Sequence, residues 1–428
     1  MLIGGLTMLI RTSAKSILLC AVSVVALMSA AHAADIVKPV ESAGFNWNGA
    51  YVGVGAGFGA TVHKLSVPGV EFNGIGGNGV FGELTAGYDY MASERFLIGA
   101  FVDANYGNIG PALGGPGFNA DLQNVYGFDA GLRAGYVLNP TTLGYVLGGY
   151  TWQHFKLDGS FGSTGFDFTE NRGGYILGVG METVLQGNWT LKTEYRYANY
   201  GDKSVLDFGG GNSLNIEPST HTFHIGANYR FGAQSGGGSS FAAPIYNWTG
   251  FYAGGALGAG TVVHDLTLFG AAELNGIGGE GVFGELNVGY DHDFGSWVAG
   301  VLVDGRYSGI KSKLDLGGGS ITGNPDYGFD VLARVGAKVN ESTLAYVIGG
   351  YSWQHFQLSA SPGGDIFDRG ASGFSVGGGL ETAVSSNVTV GLEYRYSQYQ
   401  KTDFGSGGIL EDTPSFQTVR IGAKYKFD

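Results

Sequence analysis

The chain has one cysteine, Cys20, and it sits inside an apolar run from Ile17 to Met28 that ends in Ala31-His32-Ala33. Arg11 and Lys15 precede the run. A basic start, a short apolar core and a small-x-small ending predict a secretory leader over residues 1–33, cleaved between Ala33 and Ala34. Either Met1 or Met8 can start it. Cys20 leaves with the leader, so disulfides and thiol chemistry are excluded from the mature chain. A lipid-anchored cysteine would need a small residue before it, and Leu19 stands there. No later stretch offers about 18 uninterrupted apolar residues, so a helical membrane anchor is excluded as well.

Basic charge is scarce. Without Arg11 and Lys15 there remain 21 basic against 36 acidic side chains, a net charge of −15, which argues against nucleic acid as a partner. Only 14% of residues are charged and only 10 are proline, while glycine reaches 80, tyrosine 24 and phenylalanine 27. That balance fits neither a disordered chain nor an ordinary water-soluble one. Metal and cofactor signatures are missing too. No cysteine or histidine cluster has zinc spacing, and no acidic loop has calcium-binding spacing. The run Gly53 to Gly59 is not followed by a helix that could receive a pyrophosphate. Asp207-Phe208-Gly209 and Asp403-Phe404-Gly405 lack every other kinase element. No cofactor is expected, and no enzyme activity.

What is present is a repetition. Residues 45–231 reappear at 246–427, and Asn73 to Tyr90 agrees with Asn275 to His292 at 14 of 18 positions. The chain divides into the leader, a mature N-terminal segment (34–45), a first repeat (46–232), a Gly/Ser-rich linker (233–246) and a second repeat (247–428). Period-two alternation dominates both repeats. Strands are expected near 50–60, 80–90, 96–106, 125–138, 142–157, 173–185, 189–200 and 220–231, with eight matching strands in the second repeat. Tight turns at Met91 to Arg95, Asn139 to Thr141 and Gln186 to Asn188 alternate with long polar segments, 61–79, 107–124, 158–172 and 201–219, which are expected to be loops.

Strands of this length, with short turns at one end and long loops at the other, predict an all-β, transmembrane, antiparallel up-and-down barrel. In such a barrel the apolar face meets lipid and the polar face lines the lumen. Leu191, Thr193, Tyr195 and Tyr197 share one face, and Lys192, Glu194 and Arg196 the other. Tyr90, Phe96, Tyr136, Trp189, Tyr229 and Phe231 are placed as an aromatic girdle.

The inward charges in the first repeat are Glu83, Asp89, Asp103, Asp129, Arg133, Glu182, Lys192, Glu194, Arg196 and Arg230. In the second they are Glu285, Asp291, Asp304, Arg306, Asp330, Arg334, Glu381, Glu393, Arg395, Arg420, Lys424 and Lys426. They are expected either to pair as a plug or to line a solute path. His154 and His355, in matching Trp-Gln-His-Phe segments, lack a serine at a shared position, so a rim or lumen role is expected over catalysis.

Asn247-Trp248-Thr249-Gly250-Phe251-Tyr252, Glu194-Tyr195-Arg196-Tyr197 and the ending Ile225-Gly226-Ala227-Asn228-Tyr229-Arg230-Phe231 resemble the 25/31-kDa outer-membrane proteins of α-proteobacteria. The resemblance covers both repeats. It implies eight-stranded barrels at the cell surface, structural, antigenic or porin-like, with no catalytic residues. Two departures stand out, the duplication and the final Asp428 after the closing aromatic Phe427. The expected partners are outer-membrane lipid, lipopolysaccharide and the barrel-assembly machinery. The oligomeric state is not encoded legibly. Sixteen strands could close as two barrels of eight, filled by side chains, or as one barrel of sixteen with an aqueous channel. The 14-residue linker favours two barrels joined by a flexible segment.

Overall fold

A computed structural model describes residues 45–233, 241–404 and 410–427. The leader, its Ala33/Ala34 boundary, residues 34–44 and residues 234–240 of the linker lie outside the described residues. Repeat one contains β1 (Gly49–Val67), β2 (Val70–Met91), β3 (Phe96–Ile109), β4 (Ala112–Gly115), β5 (Phe118–Asn139), β6 (Thr142–Phe161), β7 (Thr164–Gln186), β8 (Trp189–Asn199), β9 (Lys203–Gly209) and β10 (Asn212–Arg230). Repeat two contains β11 (Gly250–Leu268), β12 (Ala272–Asp293), β13 (Trp297–Ser308), β14 (Ser312–Asp315), β15 (Ser320–Asn340), β16 (Thr343–Ser361), β17 (Gly364–Ala383), β18 (Val388–Tyr399), β19 (Thr402–Phe404) and β20 (Leu410–Lys426).

Hydrogen-bond pairing closes each repeat on itself. The circuit β1-β2-β3-β5-β6-β7-β8-β10 returns to β1 through pairs from Tyr51↔Arg230 to Ser66↔Asn215. The circuit β11-β12-β13-β15-β16-β17-β18-β20 returns to β11 through Tyr252↔Lys426 to Leu268↔Leu410. Sixteen-stranded closure is not the pairing adopted, because β10 bonds to β1 rather than to β11. All strand pairs are antiparallel, as a bilayer demands of a sheet with no free edge.

The expected loops are corrected. β1 and β2 continue to Val67 and from Val70, so most of 61–79 is paired sheet, and 107–124, 158–172 and 201–219 are likewise largely strand. A strand of 19 to 23 residues is about 60–75 Å long and, tilted by about 40°, rises about 45–60 Å, twice the roughly 25 Å apolar band. The outer halves therefore stand clear of the membrane as ribbons. Glycine and polar residues there hide the alternation, and their backbone pairs all the same.

The lipid-facing assignment also needs correction for one side of each barrel. Phe58, Phe223 and Met181 of repeat one pack with Leu380, Leu392, Tyr394, Tyr396 and Val419 of repeat two, and Leu191, Tyr195 and Ile225 lie against the same cluster. These outward residues meet the other barrel. Sequence pattern cannot separate the two fates, since a neighbouring barrel and a lipid tail are equally apolar.

The contact between barrels is self-complementary. Asn139 Nδ2 donates to Thr382 Oγ1 (2.7 Å) and the Ala383 carbonyl (3.0 Å), while Asn340 Nδ2 donates to Thr183 Oγ1 (3.0 Å) and the Val184 carbonyl (3.3 Å). Those residues occupy equivalent places in the two repeats. On the axis between them Thr142 Oγ1 meets its counterpart Thr343 Oγ1 at 2.9 Å. Farther out, Ile75 bridges its counterpart Ile277. Gly76 lies so near Gly278 that a Cβ on either would come within 2.8 Å of the other's Cα. Residues 71–73 pair with 313–315, and 273–275 with 112–114. Such reciprocity is the signature of a two-fold interface, here built within one chain.

Candidate functional site: the two lumens

Alternation sends the predicted charges inward, where they assemble into two layers per barrel. In barrel one the turn-side layer joins Asp89 and Glu182 with Arg133 and Arg230. Arg230 contacts Glu182 through Nε and Nη2 (both 2.9 Å) and Asp89 through Nη1 (2.8 Å), and Arg133 binds Asp89 through Nε (2.9 Å) and Glu182 through Nη1 (3.1 Å). The outer layer joins Glu83 to Lys192 (2.9 Å) and His224 (2.7 Å), and Arg196 to Asp103 (2.6 Å), Asp129 (2.7 Å) and Glu194. All ten predicted residues are buried.

Barrel two repeats the plan. Arg334 bonds Asp291 (Nε, 2.8 Å) and Glu381 (2.5 Å), and Lys424 bonds Glu381 (2.7 Å). Above them Arg395 reaches Asp304 (2.5 Å), Asp330 (3.0 Å) and Glu393, Arg420 reaches Glu285 (2.5 Å), and Arg306 reaches Asp330 (2.8 Å). Lys426 turns its ammonium toward the Tyr246 ring, 5.7 Å from the centroid. Each of these buried charges except Lys426, which faces the aromatic ring, has an opposite charge within reach, which is the condition for burying it at tolerable cost.

Several groups that charge counting does not pick out complete the plug. Tyr145 donates to Glu194 (2.6 Å) and Tyr346 to Glu393 (2.7 Å); Thr190 and Thr389 donate to Glu182 (2.6 Å) and Glu381 (2.7 Å). Trp47 and Trp248 are each 1% exposed and close the turn-side ends. Arg230 lies 4.8 Å over the Trp47 ring and donates to its carbonyl at 3.1 Å. The signal for the tryptophans is the matching strand-entry motif, and inward parity is the signal for His224.

Cavities within the charged zones measure about 30 Å³, between Glu285, Glu393, Arg420 and Lys424, and about 40 Å³, between Asp129, Arg196 and His224. Such spaces hold a water or two. His154 and His355 point outward instead. His154 stacks on Tyr126 (4.6 Å) and bonds Asn171 (2.7 Å); His355 stacks on Tyr327 (4.5 Å) between Asp326 (2.7 Å) and Asp368 (2.6 Å). Both sit on the outer rim, away from the lumen charges. Among the described residues no group of three or more His, Cys, Asp or Glu could hold a metal ion.

Above the outer charged layer the barrels diverge. In barrel two Val262, Phe283, Ile310, Ala371, Tyr399 and Phe416 form an apolar floor, and beyond it His264 pairs with Asp412 at 2.9 Å. Burial opposes the charge on His264, but the Asp412 carboxylate outweighs it and raises the pKa. In barrel one the matching His63 is buried beside Arg172; burial first and the guanidinium second push its pKa down to about 4.

Similarity to a known family covers both repeats. A model of the outer membrane protein beta-barrel domain matches twice, over residues 17–231 and 235–427. The 31 kDa outer-membrane immunogenic protein of Brucella melitensis is 28% identical over 245 residues, 51% of this chain and all of that protein. The 22 kDa outer membrane protein of Rhizobium leguminosarum is 32% identical over 188 residues, 43% of this chain and 80% of its own length. Among solved structures, Neisserial surface protein A covers 42% of the chain at 18% identity (98% of its own length, TM-score 0.26). The P. putida toluene transporter TodX covers 89% at 12% identity (90% of its own length, TM-score 0.28). The chain belongs to the outer-membrane β-barrel protein family, of which it carries two copies in tandem, and its place is the outer membrane.

Proposed function

We propose that the protein is a structural, surface-exposed component of the outer membrane and neither a diffusion channel nor an enzyme. The observation that carries this reading is the plugging of both lumens at the charged layers: paired charges and buried tryptophans leave cavities there of about 30 and 40 Å³, too small for a hydrated solute. Its working parts are then the outer ribbons. They carry Phe161 (76% exposed), Phe269 (76%), Phe168 (65%) and Phe208 (64%) near their tips, an apolar display suited to contact outside the cell. Phe269 also holds φ at +52°, a conformation disfavoured for a bulky side chain, at the turn where repeat one has Pro68 and Gly69.

Lipid is the expected partner of the barrel walls. A groove of about 470 Å³ between the barrels is lined by Phe96, Leu138, Val146 and Met181 on one side and Val390, Leu392 and Ile421 on the other, a fit for acyl chains. Lipopolysaccharide at the outer girdle and the assembly machinery during insertion complete the partners proposed. The decisive test is conductance of purified protein in a planar bilayer. Absence of stable steps is expected; reproducible ohmic conductance would overturn the reading.

A further inference from the structure

The two lumens end differently on the outside, and one substitution accounts for most of it. Gln153 pairs with Arg172 in barrel one, and its counterpart Gln354 pairs with Ala371 in barrel two. Arg172 is 6% exposed. Its guanidinium fills the outer lumen of barrel one, donating to the Ile216 carbonyl (2.7 Å) and to Glu170 (3.0 Å). Ala371 leaves that space open. The result in barrel two is a cavity of about 330 Å³ above the apolar floor, walled by Leu266, Ile277, Leu358 and Phe367, with Phe72 of repeat one closing one side. That volume lies within the range of small-molecule sites.

The rim charge is also exchanged between the repeats. Glu170, which pairs with Arg172 and Lys203 in barrel one, has Arg369 as its counterpart at the mouth of the barrel-two cavity. Among the described residues the Arg369 guanidinium makes no ion pair or hydrogen bond, whereas the neighbouring Lys313 is held by Asp315 at 3.0 Å. An apolar chamber with one uncommitted guanidinium at its entrance selects for an apolar body and a single anionic end. The geometry points to a binding site in the outer mouth of barrel two for a small apolar monocarboxylate, taken up from outside the cell and held above the plug. Binding there needs no open lumen, so it stands or falls independently of conductance.

The test uses the full chain in phosphatidylcholine nanodiscs, with 1-naphthylacetate as the probe and its neutral analogue 1-naphthaleneethanol as the control, measured by equilibrium dialysis against empty nanodiscs. Saturable binding of the acid at one site per chain is expected. Ala371→Arg, which rebuilds the barrel-one plug, should abolish it. Arg369→Gln changes an exposed rim residue that folding does not need, and should weaken the acid at least tenfold while leaving the alcohol unchanged. Heat-modifiable mobility on gels reports whether each variant is folded. No saturable binding to the wild-type chain overturns the proposal, as does binding that folded Ala371→Arg retains. Equal loss of acid and alcohol in Arg369→Gln overturns the choice of an anion.

Discussion

Barrels one and two keep their carboxylates at matching positions and move part of their cations, while Arg133 and Arg196 keep their places as Arg334 and Arg395. Glu83 and Glu285, Asp103 and Asp304, Glu182 and Glu381, Glu194 and Glu393 are equivalent, yet Lys192 has Gly391 as its counterpart, His224 has Arg420, Asn228 has Lys424 and Arg230 has Lys426. Each loss is offset nearby. Glu83 is held by Lys192 and His224, whereas Glu285 is held by Arg420; Glu182 takes Arg230 where Glu381 takes Lys424. The requirement imposed by the buried lumen is therefore neutralisation of fixed acids, and the strand that supplies the cation is negotiable. A long flexible cation can reach one site from several strands; a carboxylate near the backbone cannot.

Removing an acid should have the largest effect. Glu182→Gln leaves two guanidiniums, Arg133 and Arg230, to share Asp89 alone, and Glu381→Gln takes the carboxylate from Lys424 and leaves Arg334 with Asp291 only. Each should cost about 3–5 kcal/mol, the usual penalty for leaving buried charge unpaired. Urea titration of the bilayer-inserted protein, read by heat-modifiable mobility, measures this. A loss below about 1 kcal/mol in both would mean that water reaches the layer and that the lumens are not plugged.

The cation exchange can be transplanted. Lys192→Gly alone removes one of the two partners of Glu83 and should cost about 2–3 kcal/mol. Lys192→Gly with His224→Arg reproduces the barrel-two arrangement and should recover stability to within about 1 kcal/mol, a strong coupling between the two positions. Additive losses would show that the strands, rather than the acids, dictate where the cation belongs.

Much of this architecture is legible in the amino-acid pattern. Alternation assigns the inward charges because a one-residue slip would send every one of them into lipid, and the matching Trp47 and Trp248 entries mark where each circuit begins. Three things stay hidden for physical reasons. The outer ribbons are paired through their backbones, and glycine-rich strands such as 70–80 carry no side-chain pattern to announce pairing. The barrel contact reuses the lipid-facing alphabet, so Phe58, Phe223 and Tyr394 read as lipid-exposed. Arg172 against Ala371 is a single difference inside a segment that reads as loop, and only the register reveals that both point inward.

The interface itself is less symmetric than its polar ends. Tyr394 is stacked by Phe58 (5.3 Å) and Phe223 (5.2 Å), while the counterparts of those rings opposite Tyr195 are Ala259 and Val419. Thr142→Cys with Thr343→Cys places a thiol pair on the two-fold axis of a mature chain otherwise without cysteine, and oxidation should join the barrels rapidly. Tyr394→Leu should slow that cross-link more than Tyr195→Leu, since ring stacking contributes about 0.5–1.5 kcal/mol beyond burial. No cross-link in the parent pair would disprove the contact.

The smallest effect near neutral pH, and the one that separates the outer mouths most cleanly, is the titration of His63 and His264. His63 has its pKa pushed down to about 4 by burial and by Arg172. Between its ordinary value near 6.5 and 4 the unfolded chain binds a proton that the folded barrel refuses, so barrel one loses stability as pH falls through that window. His264 is raised by Asp412 against the cost of burial. Its contribution is complete below about 6.5 and is lost as pH rises through the raised value. Acidification from about 6.5 should weaken barrel one and leave the His264 contribution to barrel two intact; alkalinisation from there should cost barrel two alone. Imidazole proton shifts in selectively labelled protein give both midpoints directly. Arg172→Ala should bring the His63 midpoint back toward its ordinary value, and Asp412→Asn should lower that of His264. If both midpoints coincide near about 6.5 in the wild-type chain, the outer mouths are equally open to water and the contrast between Arg172 and Ala371 has no electrostatic consequence.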